Sequence, residues 1–331
     1  MKKVISLVLL TCMVLAMSAF GGAYAAEAEY TLGMGVNLST ASSKEGNAQV
    51  DATVAAVVLD AEGKIVSCRV DVAQCKMDVT DGMVDPAKEF KTKMELGPDY
   101  GMLPASAIGQ EWDAQAKAFE EFVVGLTGAE VAALETVEKN NHQVAVDETL
   151  YAGCSMDITA FQTAVEKACN DAWAVTFTAD EFTLGVAAVT DASGSKEATD
   201  DEDGVVQMYT NFAATVVADG KIVAALNDAT QPKITIDVFG DIVDAAFKGT
   251  KRELGPDYGM LPASAIGVEW DAQSAAFSEY VVGMSADEVA GLETQEHNGH
   301  QISVDETLLA SCSMDITGMM EVIAEAVAYA R

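Results

Sequence analysis

The chain has 331 residues, half of them hydrophobic, and a formal net charge of −33 from 52 acidic and 19 basic side chains. A surface this acidic repels nucleic acid and anionic membranes, so both are excluded as expected partners. The apolar half of the composition is enough for a folded core and excludes an intrinsically disordered chain.

The first 25 residues have the pattern of a secretory signal peptide. Two lysines precede an apolar run over 4–19, and a small-x-small cleavage site follows at 23–25. We therefore expect an exported protein, secreted or held at the cell surface, that begins at Ala26. A lipid anchor at Cys12 is the less favoured alternative, because threonine is a poor residue before a lipidated cysteine. No later apolar run is long enough to span a membrane.

The remaining chain is a tandem duplication with a period near 158. Copied loop 1 (Glu95–Gln115) and copied loop 2 (Glu253–Gln273) agree at 20 of 21 positions, whereas the surrounding sequence differs much more. We define repeat 1 as 26–175 and repeat 2 as 176–331. A period of this length indicates two globular units and not a solenoid of short repeats. Loops tolerate change, so near-identity in a loop favours a functional constraint, with recent duplication as the alternative.

Both repeats have the same predicted order of elements. In repeat 1 these are a polar loop (39–47), strands over 53–59 and 65–72, the copied loop, and helices starting at 112, 127 and near 157. In repeat 2 they are a polar loop (191–204), strands over 210–217 and from 222, the copied loop, and helices starting at 270, 285 and near 315. Asp219-Gly220 between β-branched runs is a strong hairpin signal. The patterns predict an α+β fold made twice, each copy an antiparallel hairpin-based sheet packed with helices.

The cysteines do not form a repeated pattern. Five follow the signal peptide, and only Cys154 and Cys312 correspond between the repeats. A disulfide framework shared by both repeats would recur in both, so we expect these two thiols to be free and buried, while one pair within repeat 1 stays possible. No clustered ligands indicate a metal site.

No catalytic motif is present. The sequence has no nucleophile elbow, P-loop or zinc-protease motif, and solvation explains its many carboxylates. We therefore name no catalytic residue and favour a non-enzymatic role. The ring of Tyr100, between glycines that allow close backbone approach, is either a stacking face for a ligand or part of a packed turn.

The order of elements resembles the extracytoplasmic FMN-binding domain of bacterial electron-transfer subunits and lipoproteins. The resemblance is carried by hairpin turns ending in Gly-Lys-Ile (63–65 and 220–222), by the copied loops as counterparts of a Glu-Thr-Pro-Gly-x-Gly-like loop, and by the turn before the last helix. In that family a threonine takes FMN as a phosphoester. The matching residues here are Ser155 and Ser313.

The resemblance implies a flavin carrier for extracytoplasmic electron transfer, with redox partner proteins at the cell surface. The alternative is a degenerate relative that binds another ligand or a protein in the same groove. The implied FMN-binding residues are Glu95, Gly97, Tyr100, Gly101 and Ser155 in repeat 1, and Glu253, Gly255, Tyr258, Gly259 and Ser313 in repeat 2. We expect a site where copied loop 1 meets the helix start at Asp157, and its twin in repeat 2.

Overall fold

The computed structural model describes residues 28–331, so the predicted signal peptide and Cys12 lie outside the described residues. Antiparallel sheets packed with helices form the chain, which confirms the predicted α+β class. The strands are β1 (Glu29–Ser39), β2 (Asn47–Leu59), β3 (Ile65–Asp78), β4 (Thr136–Lys139), β5 (His142–Ala145), β6 (Val175–Thr178), β7 (Thr183–Asp191), β8 (Gly204–Gln207), β9 (Tyr209–Ala218), β10 (Lys221–Thr230), β11 (Lys233–Ile236), β12 (Ile242–Asp244), β13 (Thr294–His297) and β14 (His300–Ser303). The α-helices are α1 (Lys93–Leu96), α2 (Trp112–Phe122), α3 (Gly128–Ala132), α4 (Glu148–Gly153), α5 (Thr159–Cys169), α6 (Lys251–Leu254), α7 (Trp270–Tyr280), α8 (Ala286–Ala290), α9 (Glu306–Leu309) and α10 (Thr317–Ala328).

Two antiparallel sheets organise the fold. Sheet 1 has the strand order β3-β2-β1-β6, and sheet 2 has the order β10-β9-β7. The predicted turn at Asp219-Gly220 joins β9 to β10, and both residues have positive φ (49° and 73°), as a tight hairpin turn requires. In repeat 2 a small sheet, β12-β11-β8, lies beyond the ends of β9 and β10. Pro232 lies between β10 and β11, where it has no amide N–H to give to a continuous ladder.

Sheets 1 and 2 pack face to face and carry helices on their other faces. Alternate residues of β1, namely Leu32, Met34 and Val36, point into a core shared with Leu184 and Phe212 of repeat 2. On the outer faces, α2 and α5 cover sheet 1 while α7 and α10 cover sheet 2. The order of layers is therefore helix, sheet, sheet, helix, and burial of the central apolar layer holds the two repeats together.

Glycines allow the last helix of each repeat to lie close on its sheet. A Cβ atom on Gly33 would overlap the carbonyl oxygen of Ala168 in α5. A Cβ atom on Gly185 would likewise overlap the carbonyl oxygen of Ala326 in α10. In both repeats, therefore, a glycine in the strand leaves room for the helix backbone to contact the strand directly.

From α1 onward the elements of repeat 1 recur in repeat 2 with an offset of 158 residues. The capping boxes predicted at Thr127 and Ser285 are present, each with its partner glutamate bonded back to the cap. The last helix of repeat 1 begins at Thr159, two residues after the predicted start near Asp157. The Asp157 carboxylate still caps that helix end, because it accepts the Thr159 amide at 2.9 Å.

Two short hairpins, β4-β5 and β13-β14, were not predicted. Each has left-handed asparagine in its turn: Asn140 and Asn141 in the first (φ 52° and 64°) and Asn298 in the second (φ 51°). Asparagine tolerates this conformation, so these residues were a readable turn signal. Within residues 28–331, no helix is both long and apolar enough to cross a membrane.

Candidate functional site

The copied loops begin with a capped helical turn in both repeats. In repeat 1, the Thr92 amide donates to Glu95 Oε2 at 2.7 Å, and the Glu95 amide donates to Thr92 Oγ1 at 3.2 Å. Thr250 and Glu253 form the same reciprocal pair. The predicted site residues Glu95 and Glu253 therefore use their carboxylates as structural caps. The pattern Thr-x-x-Glu could have been read from the sequence.

The predicted glycines of the copied loops shape their backbone. Gly97 and Gly255 share φ 48° with ψ of −126° and −123°, a conformation that strains any residue with a side chain. Gly101 and Gly259 are left-handed, with φ 74° and 78°, and end the 3-10 turns of the loops. These four glycines are explained by the turn alone.

A buried aspartate ties each capped turn to its sheet. Asp71 of β3 accepts the Met94 amide at 3.1 Å, and Asp228 of β10 accepts the Arg252 amide at 3.1 Å. Burial raises the pKa of both carboxyl groups to about 6, although hydrogen bonds from the capped turn oppose the shift. This pair was not predicted, because one acidic residue in a strand gives no local signal of burial.

Lysine side chains lie over the tyrosine rings that were predicted to stack on a ligand. In repeat 1, Lys93 Nζ lies 4.8 Å from the centroid of the Tyr100 ring and 5.6 Å from that of Trp112. The ammonium group of Lys93 therefore already makes a cation–π contact with each of these two rings. The half-buried Tyr100 also packs against the core between sheet 1 and its helices.

The counterpart in repeat 2 is more enclosed. Lys251 Nζ lies 4.3, 4.6 and 5.1 Å from the ring centroids of Tyr209, Tyr258 and Trp270, and 2.7 Å from the Tyr209 hydroxyl oxygen. Burial lowers the pKa of the Lys251 amine to about 7, while the charge of Asp228 opposes the shift. Lys251 is thus enclosed by three aromatic rings, of which Tyr258 and Trp270 belong to copied loop 2.

A buried glutamine joins each copied loop to the predicted flavin-acceptor serine. Gln115 Oε1 accepts the Ser155 amide at 2.8 Å and the Ser155 hydroxyl at 3.2 Å, while Gln115 Nε2 donates to Ser106 Oγ at 3.0 Å. Gln273 binds Ser313 and Ser264 in the same way. The structure therefore brings the copied loop and the turn before the last helix together, with glutamine between them. The role of this glutamine was not predicted.

An aspartate carboxylate accepts backbone amides at the start of the last helix in each repeat. Asp157 accepts the amides of Thr159 and Gln143, at 2.9 and 2.8 Å. Asp315 accepts the amides of Thr317 and Gln301, at 3.0 and 2.8 Å. A carboxylate already satisfies the helix N-terminus that would attract an anion, and glutamine engages the serine hydroxyl. In this arrangement the residues do not fit a phosphoester-linked FMN at Ser155 or Ser313.

The middle of each copied loop is exposed and carries no charge. The segments 101–110 and 259–268 contain no acidic or basic residue in a chain of net charge −33. Leu103 and Leu261 each expose 51% of their surface. Each copied loop therefore presents an uncharged, partly apolar segment to solvent in an otherwise acidic protein.

A separate charged cleft of about 330 Å³ lies where repeat 1 meets the end of repeat 2. Buried Glu120 binds Arg69 and Arg331 there, each at 2.9 Å. Arg69 also donates to the Leu184 carbonyl oxygen at 3.0 Å. These contacts join repeat 1 to repeat 2, and both arginine side chains already have partners within the chain.

The predicted free thiols agree with the structure. All five cysteines within residues 28–331 are free, and Cys154 and Cys312 are buried. Burial raises the pKa of the Cys154 thiol to about 12 and that of Cys312 to about 11. Among the same residues, no group of three His, Cys, Asp or Glu side chains could hold a metal ion.

Comparison with known proteins gives a partial likeness. No protein-family model and no solved structure matches the chain. Over 116 residues the chain is 34% identical to a chlorophenol reductase of Desulfitobacterium hafniense, a match that covers 30% of this chain and 35% of that protein. The chain thus spans about a third of the length of this relative.

Proposed function

We propose that this protein is an exported, non-enzymatic binding module, a degenerate relative of the FMN-binding domains, whose two copied loops contact a partner protein at the cell surface. The observation that carries the proposal is the exposed, uncharged middle of each loop. The middle of each loop has no charged side chain, so its burial against a partner desolvates no ion, and the removal of its apolar groups from water favours association.

The duplication adds a second argument. Two copies of one loop present the same contact surface twice, so a partner with two matching sites gains from effective concentration. Such a partner would select for near-identity of the loops while the rest of each repeat diverged. The capped turns and the buried glutamines connect the loops to the rest of each repeat by hydrogen bonds, and ordering of a loop before binding lowers the entropic cost of association.

The test is site-specific photo-crosslinking in the host that makes the protein. A photoreactive residue replaces Leu103 in one variant and Leu261 in another, with the exposed Glu45, in the polar loop of repeat 1, as the matched control position. We expect one and the same partner to crosslink from both loop positions and not from the control. Crosslinking equal to the control at both loops would refute a shared contact surface.

A flavin carrier is the second candidate, because the resemblance to FMN-binding domains implies one and each copied loop lies near the turn before the last helix, where that resemblance puts the cofactor. Such a carrier would hold FMN near Tyr100 and Tyr258, and the cofactor would supply the electron transfer. We do not propose reductase activity for this chain, because the match covers only 35% of the chlorophenol reductase.

Absorbance of the protein purified from its own host separates the two candidates. We expect no flavin spectrum in the native protein and none in the denatured chain. Flavin that stays with the denatured wild type and is lost after Ser155→Ala and Ser313→Ala would establish the carrier and its acceptor residues. Flavin lost on denaturation would indicate a non-covalent carrier.

A further inference from the structure

In repeat 1 the ammonium group of Lys93 lies over two aromatic rings. Its Nζ atom is 4.8 Å from the ring centroid of Tyr100 and 5.6 Å from that of Trp112. Within residues 28–331 this ammonium group takes part in no hydrogen bond and no ion pair, so the rings are the groups that attract it. We define cation site 1 as the ring pair of Tyr100 and Trp112.

The corresponding site of repeat 2 is closed by its own lysine. Lys251 lies over the rings of Tyr209, Tyr258 and Trp270, and its Nζ atom is 2.7 Å from the Tyr209 hydroxyl oxygen. Lys251 is 5% exposed, whereas Lys93 is only half-buried. Displacement of Lys251 would break a buried hydrogen bond as well as the ring contacts. The lysine of repeat 2 is therefore a fixed occupant, and that of repeat 1 is held more weakly.

One sequence difference accounts for this contrast. Asp51 of β2 and Tyr209 of β9 are counterparts, because each lies three residues before the strand partner of the buried aspartate in its repeat. The Asp51 carboxylate accepts the side-chain amide of Gln74 at 3.0 Å. Repeat 1 therefore lacks both the third ring and the hydroxyl group that enclose the lysine in repeat 2.

The charge of the surroundings favours a cation at this site. The whole chain has a net charge of −33. Within copied loop 1, the Glu111 carboxylate accepts the amides of Met102 and Leu103, at 2.8 and 3.1 Å, and thus lies close in the chain to Tyr100. Negative potential attracts cations and repels carboxylates. A ligand of cation site 1 should therefore carry a positive charge and no carboxylate group.

We propose that cation site 1 binds a small quaternary ammonium compound, which displaces the side chain of Lys93 from the two rings into solvent. The site of repeat 2 does not bind it, because Lys251 stays in place. This site lies before and after the uncharged middle of copied loop 1, and it requires neither a partner protein nor a flavin. It therefore does not rest on the function proposed above.

Differences in hydration favour the exchange of one cation for the other. The ammonium group of lysine is compact and strongly hydrated, and it is attached to a flexible chain of four carbons. Lys93 regains its full hydration when it moves into solvent. A quaternary ammonium group has no N–H donor to leave unsatisfied, and its methyl groups are removed from water against the ring faces. The rings therefore select the quaternary cation over the lysine.

Titration of the full chain with choline chloride, followed by NMR relaxation of the choline methyl protons, tests the site. The matched probe is the neutral alcohol in which a tert-butyl group replaces the trimethylammonium group, and sodium chloride keeps the ionic strength constant. We expect one saturable choline site per chain and about tenfold weaker binding of the neutral probe. Absence of saturable choline binding, or equal affinity for the two probes, would overturn the proposal.

Four variants locate the site and identify the displaced group. Lys93→Ala should bind choline several-fold more tightly, because the competing ammonium group is gone. Tyr100→Leu should weaken binding by about tenfold, whereas Tyr100→Phe keeps the ring and should keep the affinity. Tyr258→Leu, the same change in copied loop 2, is the matched control and should leave the affinity unchanged. Near-UV circular dichroism shows which variants fold, and Lys93→Ala and Tyr100→Phe remain decisive if Tyr100→Leu does not.

The variants also give the results that would contradict the site. If folded Lys93→Ala binds choline no more tightly than the wild type, the ligand does not displace this lysine and the proposal fails. Equal loss of affinity in Tyr100→Leu and Tyr258→Leu would show that binding does not distinguish the two repeats. That result would overturn the assignment to cation site 1.

Discussion

Gln115 Oε1 lies 2.8 Å from the amide nitrogen of Ser155, so one buried side chain connects residues 40 positions apart. The same oxygen accepts the Ser155 hydroxyl, which the resemblance to FMN-binding domains implied as the flavin acceptor. Gln273 repeats the contact with Ser313. The hydroxyl that would carry a cofactor thus has a structural partner in both repeats.

Gln115→Leu should destabilise the protein by ~2–4 kcal/mol. The substitution leaves the buried Ser155 amide and hydroxyl without an acceptor, and unsatisfied buried groups carry their full desolvation cost. Urea denaturation at neutral pH measures the change. The matched control is Gln110→Val, because repeat 2 has Val268 at that position and Gln110 is exposed. An unfolding free energy unchanged in Gln115→Leu would show that the bridge contributes nothing.

Glu120→Ala should cost about 3–5 kcal/mol, because Glu120 is 2% exposed and binds both Arg69 and Arg331. Removing one partner of a buried ion pair leaves uncompensated charge. Chemical denaturation compares this variant with Glu121→Ala, whose side chain is exposed and should be silent. Similar losses in both variants would argue against the buried cluster as a joint between the repeats.

The free energy of unfolding of the wild type should rise between about pH 7 and pH 10, and Lys251→Met should abolish this rise. In the folded protein the pKa of Lys251 is lowered to about 7 by burial, so folding releases a proton in this window and stability increases with pH. The slope for one proton is at most ~1.4 kcal/mol per pH unit. Urea denaturation at several pH values measures it, with the exposed Lys91→Met as control. A slope retained in Lys251→Met would assign the proton to another group.

Gly33→Ala should destabilise the protein by at least ~1–3 kcal/mol, because the new Cβ atom would overlap the Ala168 carbonyl oxygen and push α5 away from sheet 1. Thermal unfolding measures the effect. Gly63→Asn is the control, since this turn residue has φ 74° and open space around it, and asparagine tolerates that conformation. A melting temperature unchanged by Gly33→Ala would mean that the helix can shift without loss.

Local patterns predicted much of each repeat. The Asp219-Gly220 turn, the capping boxes at Thr127 and Ser285, and the helix from Trp112 follow from preferences that act within a few residues. The last helix of repeat 1 starts at Thr159, close to the start predicted near Asp157, and Asp157 accepts the Thr159 amide as the predicted cap. The same kind of signal at Thr92 and Asn140 was readable but not used.

The sequence alone determined the duplication, the acidity, the α+β class and the position of the copied loops, because each is a property of composition or of short-range order. The tertiary structure alone decided that the two sheets share one core, that Gln115 binds the serine implied as flavin acceptor and Asp157 binds the helix start, and that Lys251 is caged by aromatic rings. It also decided that Lys167 of repeat 1 pairs with Glu253 of repeat 2. Burial and charge pairing depend on which distant segments meet, and no local preference records that.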